Sequence, residues 1–210
     1  MLESILDLFF PRECPVCGNP SDRPGRHVCS DCLNRFSTVP PDAGIAAALW
    51  FDGTARRLIH EFKFRSQLHL REDLVDFLEG AALIHYDIAK VDLVVPIPSV
   101  WFRCWLRGYN QSALLANSLA RRLKLPFDPR ILRRKGLPRR QASLDSAGRA
   151  KNIRGTFKVP VRKSAAVKGK TILLVDDIRT TGATLLEARK TLLAAGAKSV
   201  LAIALAKTGE

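Results

Sequence analysis

No hydrophobic run in the chain approaches the roughly 20 apolar residues that a membrane-spanning helix needs. Residues 1–10 also lack the basic n-region of a secretory signal and carry Glu3 and Asp7 instead. That stretch reads as a short amphipathic helix with Leu2, Ile5, Leu6 and Phe9 on one side. A membrane span and an export signal are therefore not expected, and the cytoplasm is the expected compartment. Internal repeats and low-complexity tracts are absent as well. Acidic residues are the scarce charge: 20 Asp plus Glu stand against 34 Lys plus Arg, a net charge of +14. The shortage is sharpest over residues 121–170, where Asp128 and Asp145 are the only acids among 17 basic residues. That stretch is either a solvated basic face or a track for phosphates, and the overall surplus points to a polyanionic partner such as nucleic acid.

What is present suffices for a packed core. With 210 residues, 47% of them hydrophobic and 26% charged, the chain fits one medium domain plus a small appendage.

Four of the five cysteines form a set: Cys14 and Cys17, then eleven residues, then Cys29 and Cys32. A two-residue gap lets both thiolates of a knuckle reach one ion, so the spacing predicts a tetrahedral zinc site. The intervening Gly18, Asn19, Pro20, Asp22, Pro24 and Gly25 are turn formers, too polar to make a core without a metal. Disulfides are disfavoured in a cytosolic chain. Four cysteine ligands close the site, which makes the zinc structural. His27 reads as a loop residue and Cys104 as a buried, inert thiol. The module is expected to dock a partner or the main domain and not to bind DNA itself.

After a linker at residues 40–44, strands are expected at 45–51, 92–96, 171–175 and 199–205, and helices at 54–64, 70–83, 110–123 and 184–195. Alternating strands and helices imply a mostly parallel, doubly wound α/β sheet, with ligands beyond the carboxyl ends of the strands. The expected organisation is an N-terminal helix and four-cysteine module over 1–44, then an α/β domain over 45–210.

The strand ending at Val175 runs into Asp176, Asp177, Thr180, Thr181, Gly182, Ala183 and Thr184, and then into a helix. A helix N-terminus offers unpaired N–H groups to an anion, the threonines add hydroxyls, and Gly182 lets the backbone come close. Two aspartates beside a phosphate make sense if they face sugar hydroxyls or a metal, which points to a sugar phosphate. The plain alternative is a helix cap without a ligand.

This segment resembles the phosphoribosyl-pyrophosphate motif of type I phosphoribosyltransferases. The resemblance assigns the ribose hydroxyls to Asp176 and Asp177, and the 5′-phosphate to Thr180, Thr181, Gly182, Ala183 and Thr184. Purine enzymes of that type often carry a further Asp three residues past the pair. Thr180 stands here, which argues against purine salvage.

Three further segments extend the likeness: the four cysteines; Val95-Pro96-Ile97-Pro98 with Arg107-Gly108-Tyr109-Asn110-Gln111; and Gln141 with the run from Arg149 to Phe157 (Arg-Ala-Lys-Asn-Ile-Arg-Gly-Thr-Phe). Together they resemble the ComF family, associated with natural transformation, over nearly the whole chain. The resemblance implies a type I phosphoribosyltransferase fold behind a zinc ribbon. It places Pro98 and Ser99 in the loop facing the pyrophosphate, and Gln141, Arg149 and Asn152 in the hood over the site. It also implies phosphoribosyl pyrophosphate with Mg²⁺ as ligand, and DNA-uptake proteins as partners. Lys63, Arg107 and Arg149 suit the pyrophosphate on charge, and each equally suits a surface ion pair. Trp101, Phe102, Trp105 and Tyr109, beside Arg103 and Arg107, either stack the bases of single-stranded DNA or pack as a hydrophobic hood. The functional expectation is a DNA-uptake protein binding this sugar phosphate and single-stranded DNA. The alternative is an active phosphoribosyltransferase with an unidentified small-molecule acceptor.

Overall fold

The structure, a computed structural model, describes residues 12–40, 44–64, 67–99, 108–135 and 153–209. In chain order the elements are α1 (Ser30–Leu33), β1 (Ala46–Trp50), α2 (Gly53–Phe64), α3 (Arg71–His85), β2 (Leu93–Pro96), α4 (Gln111–Arg122), β3 (Arg133–Arg134), β4 (Phe157–Lys158), α5 (Ser164–Val167), β5 (Thr171–Arg179), α6 (Ala183–Ala194) and β6 (Ser199–Lys207).

Strands β1, β6, β5 and β2 pair in that order, all parallel. A parallel sheet is covered on both faces, so its strands are continuous apolar runs and not alternating ones. Leu173 and Val175 of β5 belong to a cluster with Leu74 and Leu78 of α3 and Leu115 and Leu119 of α4. Their neighbours Ile172 and Leu174 belong to the opposite cluster, with Leu185, Ala188 and Leu192 of α6. Period-2 alternation along one strand thus feeds two cores, and the fold is the doubly wound α/β arrangement expected.

One boundary matters for the site. The apolar run of β5 stops at Val175, where the strand is expected to end, but the strand continues to Arg179. Its partner is the reason: β6 keeps register alongside, pairing Asp176 with Ala204, Ile178 with Ala206 and Arg179 with Lys207. The acidic pair therefore stands on a strand and not in a turn. The basic stretch, for which the sequence specified no element, supplies a small antiparallel ribbon, with Arg133 opposite Lys158 and Arg134 opposite Phe157.

The cysteine module lies against the main body. Cys14, Val28, Cys32 and Phe36 share one apolar cluster with Leu58 and Phe62 of α2 and Leu70 and Leu74 beside and on α3. Polar contacts seal the junction: Arg23 and Arg26 meet Asp76, and Arg122 of α4 joins Asp76, Glu72 and Glu79 from the other side. Burial pushes the Asp76 carboxyl up, but the Arg26 and Arg122 guanidiniums outweigh this and hold it below its ordinary range. Of the two docking alternatives read from sequence, the module takes the main domain. No helix among the described residues is long and apolar enough to cross a membrane.

Candidate functional site

The site opens where β2 and β5 part. Ile97 N–H still donates to the Val175 carbonyl at 2.8 Å. The next rung of a parallel ladder would join Asp177 N–H to the Ile97 carbonyl. Instead, Asp177 N–H donates to Asp176 Oδ1 at 2.9 Å, and the Ile97 carbonyl accepts from Asn110 Nδ2 at 3.0 Å. Both backbone groups are satisfied by side chains, so the strands separate at no hydrogen-bonding cost. Asn110 Oδ1 also accepts from Ser99 Oγ at 2.9 Å, which fixes the Pro98-Ser99 loop on the opposite rim.

The resulting cleft has a volume of about 590 Å³. Its lining gathers Asp176, Asp177, Thr180 and Thr184 with Lys63, Pro98 and Ser99, seven of the residues singled out from sequence. It also holds residues that sequence reasoning missed. Arg56 and His60 stand at helical spacing from Lys63 on one stripe of α2, a signal legible as an i, i+4, i+7 basic row. Ser112 lines it from the start of α4, beside Gln111 of the run already quoted from sequence, and Arg134 lines it from the ribbon. Ser112 Oγ donates to Asp176 Oδ1 at 3.0 Å, while the Arg134 Nε donates to the Pro98 carbonyl at 3.2 Å. Gln111 is 2% exposed, and its Nε2 has no hydrogen-bond partner among the described residues.

The two carboxylates differ. Asp176 is 7% exposed. Burial, and then the adjacent Asp177 carboxylate, push it up to about 8. Asp177 is more open and pairs through Oδ2 with Lys63 Nζ. The lysine expected at a pyrophosphate or in a surface pair thus lies in a part-buried pair inside the cleft.

Beyond the pair, Gly182 is the N-cap of α6 at φ +76°. A Cβ there would stand 3.3 Å from Ile45 Cδ1. No side-chain hydrogen bond caps the helix from Gly182; Thr181 Oγ1 accepts from Ala183 N–H at 3.4 Å. The Arg179 guanidinium turns to the Ile45 carbonyl and pins the turn against β1. Thr180 and Thr184, on either side of the N-cap of this twelve-residue helix, line the same cleft as the acidic pair.

Of the residues read as DNA contacts, Trp101, Arg103 and Trp105 lie outside the described residues, as do Cys104, Arg107, Gln141, Arg149 and Asn152. Tyr109 is described: its hydroxyl donates to the Phe62 carbonyl at 3.1 Å, tying the approach to α4 onto the end of α2.

In the N-terminal module, the sulfurs of Cys14, Cys17, Cys29 and Cys32 lie within 4.8 Å of one another. Cys17 Sγ and Cys29 Sγ are 3.7 Å apart. A disulfide needs about 2.05 Å; thiolates about 2.3 Å from a shared zinc stand roughly 3.8 Å apart. The donor set fits structural Zn²⁺. His27 is not among the ligands: its N–H donates to Asp73 Oδ2 at 3.0 Å and its ring lies 4.2 Å from that of His69.

Comparison with known proteins agrees with both parts. Residues 110–210 match the phosphoribosyl transferase domain, and residues 5–43 match the double zinc ribbon domain. The DNA utilization protein YhgH of Salmonella typhi is 29% identical over 198 residues, covering 93% of this chain and 84% of that protein. Competence protein F of Haemophilus influenzae is 29% identical over 197 residues, 92% of this chain and 84% of that one. Competence protein ComFC of Bacillus subtilis is 28% identical over 187 residues, 87% and 72% of the respective chains. Relatives of these names match along most of its length and a zinc ribbon stands ahead of a phosphoribosyl transferase domain, so the chain is similar to the ComF proteins in sequence and in domain organisation.

Proposed function

We propose that the cleft binds phosphoribosyl pyrophosphate, or a sugar phosphate like it, with Mg²⁺, and that the protein serves DNA uptake with single-stranded DNA as a partner. The observation that carries the first half is the meeting of Asp176 and Asp177 with Thr180 and Thr184 in one cleft, faced by Lys63, Arg56 and Arg134. Carboxylates accept hydrogen bonds from ribose hydroxyls, while hydroxyls and helix amides donate to a 5′-phosphate. The cationic wall suits the pyrophosphate. Mg²⁺ takes hard oxygen ligands, and the carboxylates beside a diphosphate are of that kind. In this reading residues 45–210 form the ligand-binding domain and residues 1–44 a supporting zinc module in a cytoplasmic protein.

The DNA half is supported by the names of the relatives, a competence protein and a DNA utilization protein, and by the +14 net charge. Trp101, Arg103, Trp105 and Tyr109 are the proposed contacts.

The deciding experiment is calorimetric titration of phosphoribosyl pyrophosphate, with and without Mg²⁺, into wild type and Asp177→Asn. Magnesium-dependent binding weakened by the substitution supports the reading; no binding to folded, zinc-loaded wild type refutes it. Fluorescence anisotropy with labelled single-stranded DNA tests the partner: unchanged affinity after combined Trp101→Ala and Trp105→Ala removes those contacts.

A second reading, phosphoribosyl transfer to a small acceptor, is favoured by Phe51, Ile59, Ile97 and Ile178, an apolar lining beside the acidic pair that suits a flat ring. Acceptor-dependent release of pyrophosphate is its test.

A further inference from the structure

Asp177 has two oxygens with different duties. Oδ1 accepts the backbone N–H of Ile178 at 2.7 Å, which leaves Oδ2 as the oxygen that can meet an incoming group. Lys63 holds that oxygen, in a pair whose side chains are 12% and 22% exposed. The backbone of Lys63 is fixed, because the neighbouring Phe62 carbonyl is tied to Tyr109. Its four-carbon stem is free to re-aim the ammonium without moving the helix. Pro98 and Ser99, on the opposite rim, line the same cleft.

A ribose diol that takes Asp177 must displace Lys63. If nothing replaces the carboxylate, a part-buried ammonium is left uncompensated, which is costly. A sugar that carries a diphosphate as well as the diol supplies the replacement anion itself.

We propose that Lys63 is an exchangeable counter-ion: it neutralises Asp177 until a sugar diphosphate enters, then passes to the diphosphate as the diol takes the carboxylate. This rests on the ribose and pyrophosphate reading given above and adds the change of partner that Lys63 makes when the ligand enters. The cleft selects a phosphosugar bearing a diphosphate over the same sugar bearing the 5′-phosphate alone.

The test is calorimetric titration of phosphoribosyl pyrophosphate and of ribose 5-phosphate, each with Mg²⁺, into wild type, Lys63→Met and Lys63→Arg. Wild type should prefer the diphosphorylated sugar. Lys63→Met should weaken that ligand by about tenfold, the scale of one charge-assisted contact, while ribose 5-phosphate binds more tightly because Asp177 no longer has to be released. Lys63→Arg should keep most of the preference. Equal weakening of both ligands by Lys63→Met, or no change in either, overturns the exchange and leaves Lys63 a shape-holding residue. A second variant approaches from the other partner: Asp177→Asn should bind inorganic pyrophosphate more tightly than wild type, and equal or weaker binding overturns the inference. If wild type binds neither sugar, the ribose reading fails and the exchange with it. Zinc content and thermal midpoint verify that each variant is folded.

Discussion

Asp73, on α3, accepts the backbone N–H of Val28 at 3.1 Å, and both residues are buried. The same carboxylate takes His27 N–H at 3.0 Å and Arg23 at 3.4 Å, so one side chain satisfies the segment leading into the second cysteine knuckle. Its removal leaves the buried Val28 amide without its acceptor. Asp73→Ala is expected to cost about 3 kcal/mol. Asp76 makes more ion pairs but is more exposed, with 23% of its side chain accessible. Such pairs are screened by solvent, so Asp76→Ala should cost less. Thermal unfolding of the two zinc-loaded variants checks the order; a larger loss for Asp76→Ala contradicts it.

Four cysteine sulfurs grouped within 4.8 Å call for one zinc per chain, measurable by elemental analysis. Cys32 is fully buried, and Cys32→Ala should abolish the zinc and lower the melting temperature to that of chelator-treated wild type. Retention of a full equivalent of zinc by the variant would rule the set out as the site.

Asp176 imposes a pH dependence whose sign follows from its upward shift. Its folded-state value, about 8, lies above the ordinary value of 3.8. Between these limits the folded chain keeps a proton that the unfolded chain has lost. Stability from this group is therefore complete below about pH 4 and falls as pH rises through about 8. Asp176→Asn should raise the melting temperature at pH 8 by clearly more than at pH 5. A constant difference across that range would mean that the carboxyl is already ionised in the folded protein.

Gly182 holds a left-handed conformation at φ +76°, with Ile45 Cδ1 3.3 Å from the position of a Cβ. Gly182→Ala should cost about 1–2 kcal/mol from the conformation alone and weaken phosphoribosyl pyrophosphate binding by reshaping the turn. Gly155, at φ +66° and with no described atom within 4 Å of the position of a Cβ, is the control. Gly155→Ala should show a similar stability loss with the titration unchanged. If both variants leave binding intact, the Gly182 turn does not shape the ligand site.

The parts of this molecule that were legible in sequence are those written by local pattern. The apolar runs of β2 and β6 and the periodic helices α2 and α4 lie within a few residues of their expected bounds. The cysteine spacing and the acidic pair before a Thr/Gly turn were legible because their chemistry is compact along the chain. What was hidden depends on partners far away in sequence. The extension of β5 to Arg179 is written in the register of β6 and not in its own residues. Asp73 looks like an ordinary helix carboxylate until Val28 is brought to it. Arg134 reaches the cleft only because the ribbon pairs Arg133 with Lys158. Arg56 and His60 had a readable helical stripe, but a stripe alone does not say which face meets a cleft.

The parting of β2 from β5 carries a further meaning. At that rung, where Ile97 stands between Pro96 and Pro98, one amide of Asn110 and one oxygen of Asp176 take the backbone groups that the two strands would otherwise pair. The cavity is thus an unfinished seam, and its mouth is kept from zipping shut by two side chains. Loss of either gives the strands a reason to close over the space between them. At this end of the sheet the edges of β2 and β5 are thus kept apart at one rung by two hydrogen bonds to side chains.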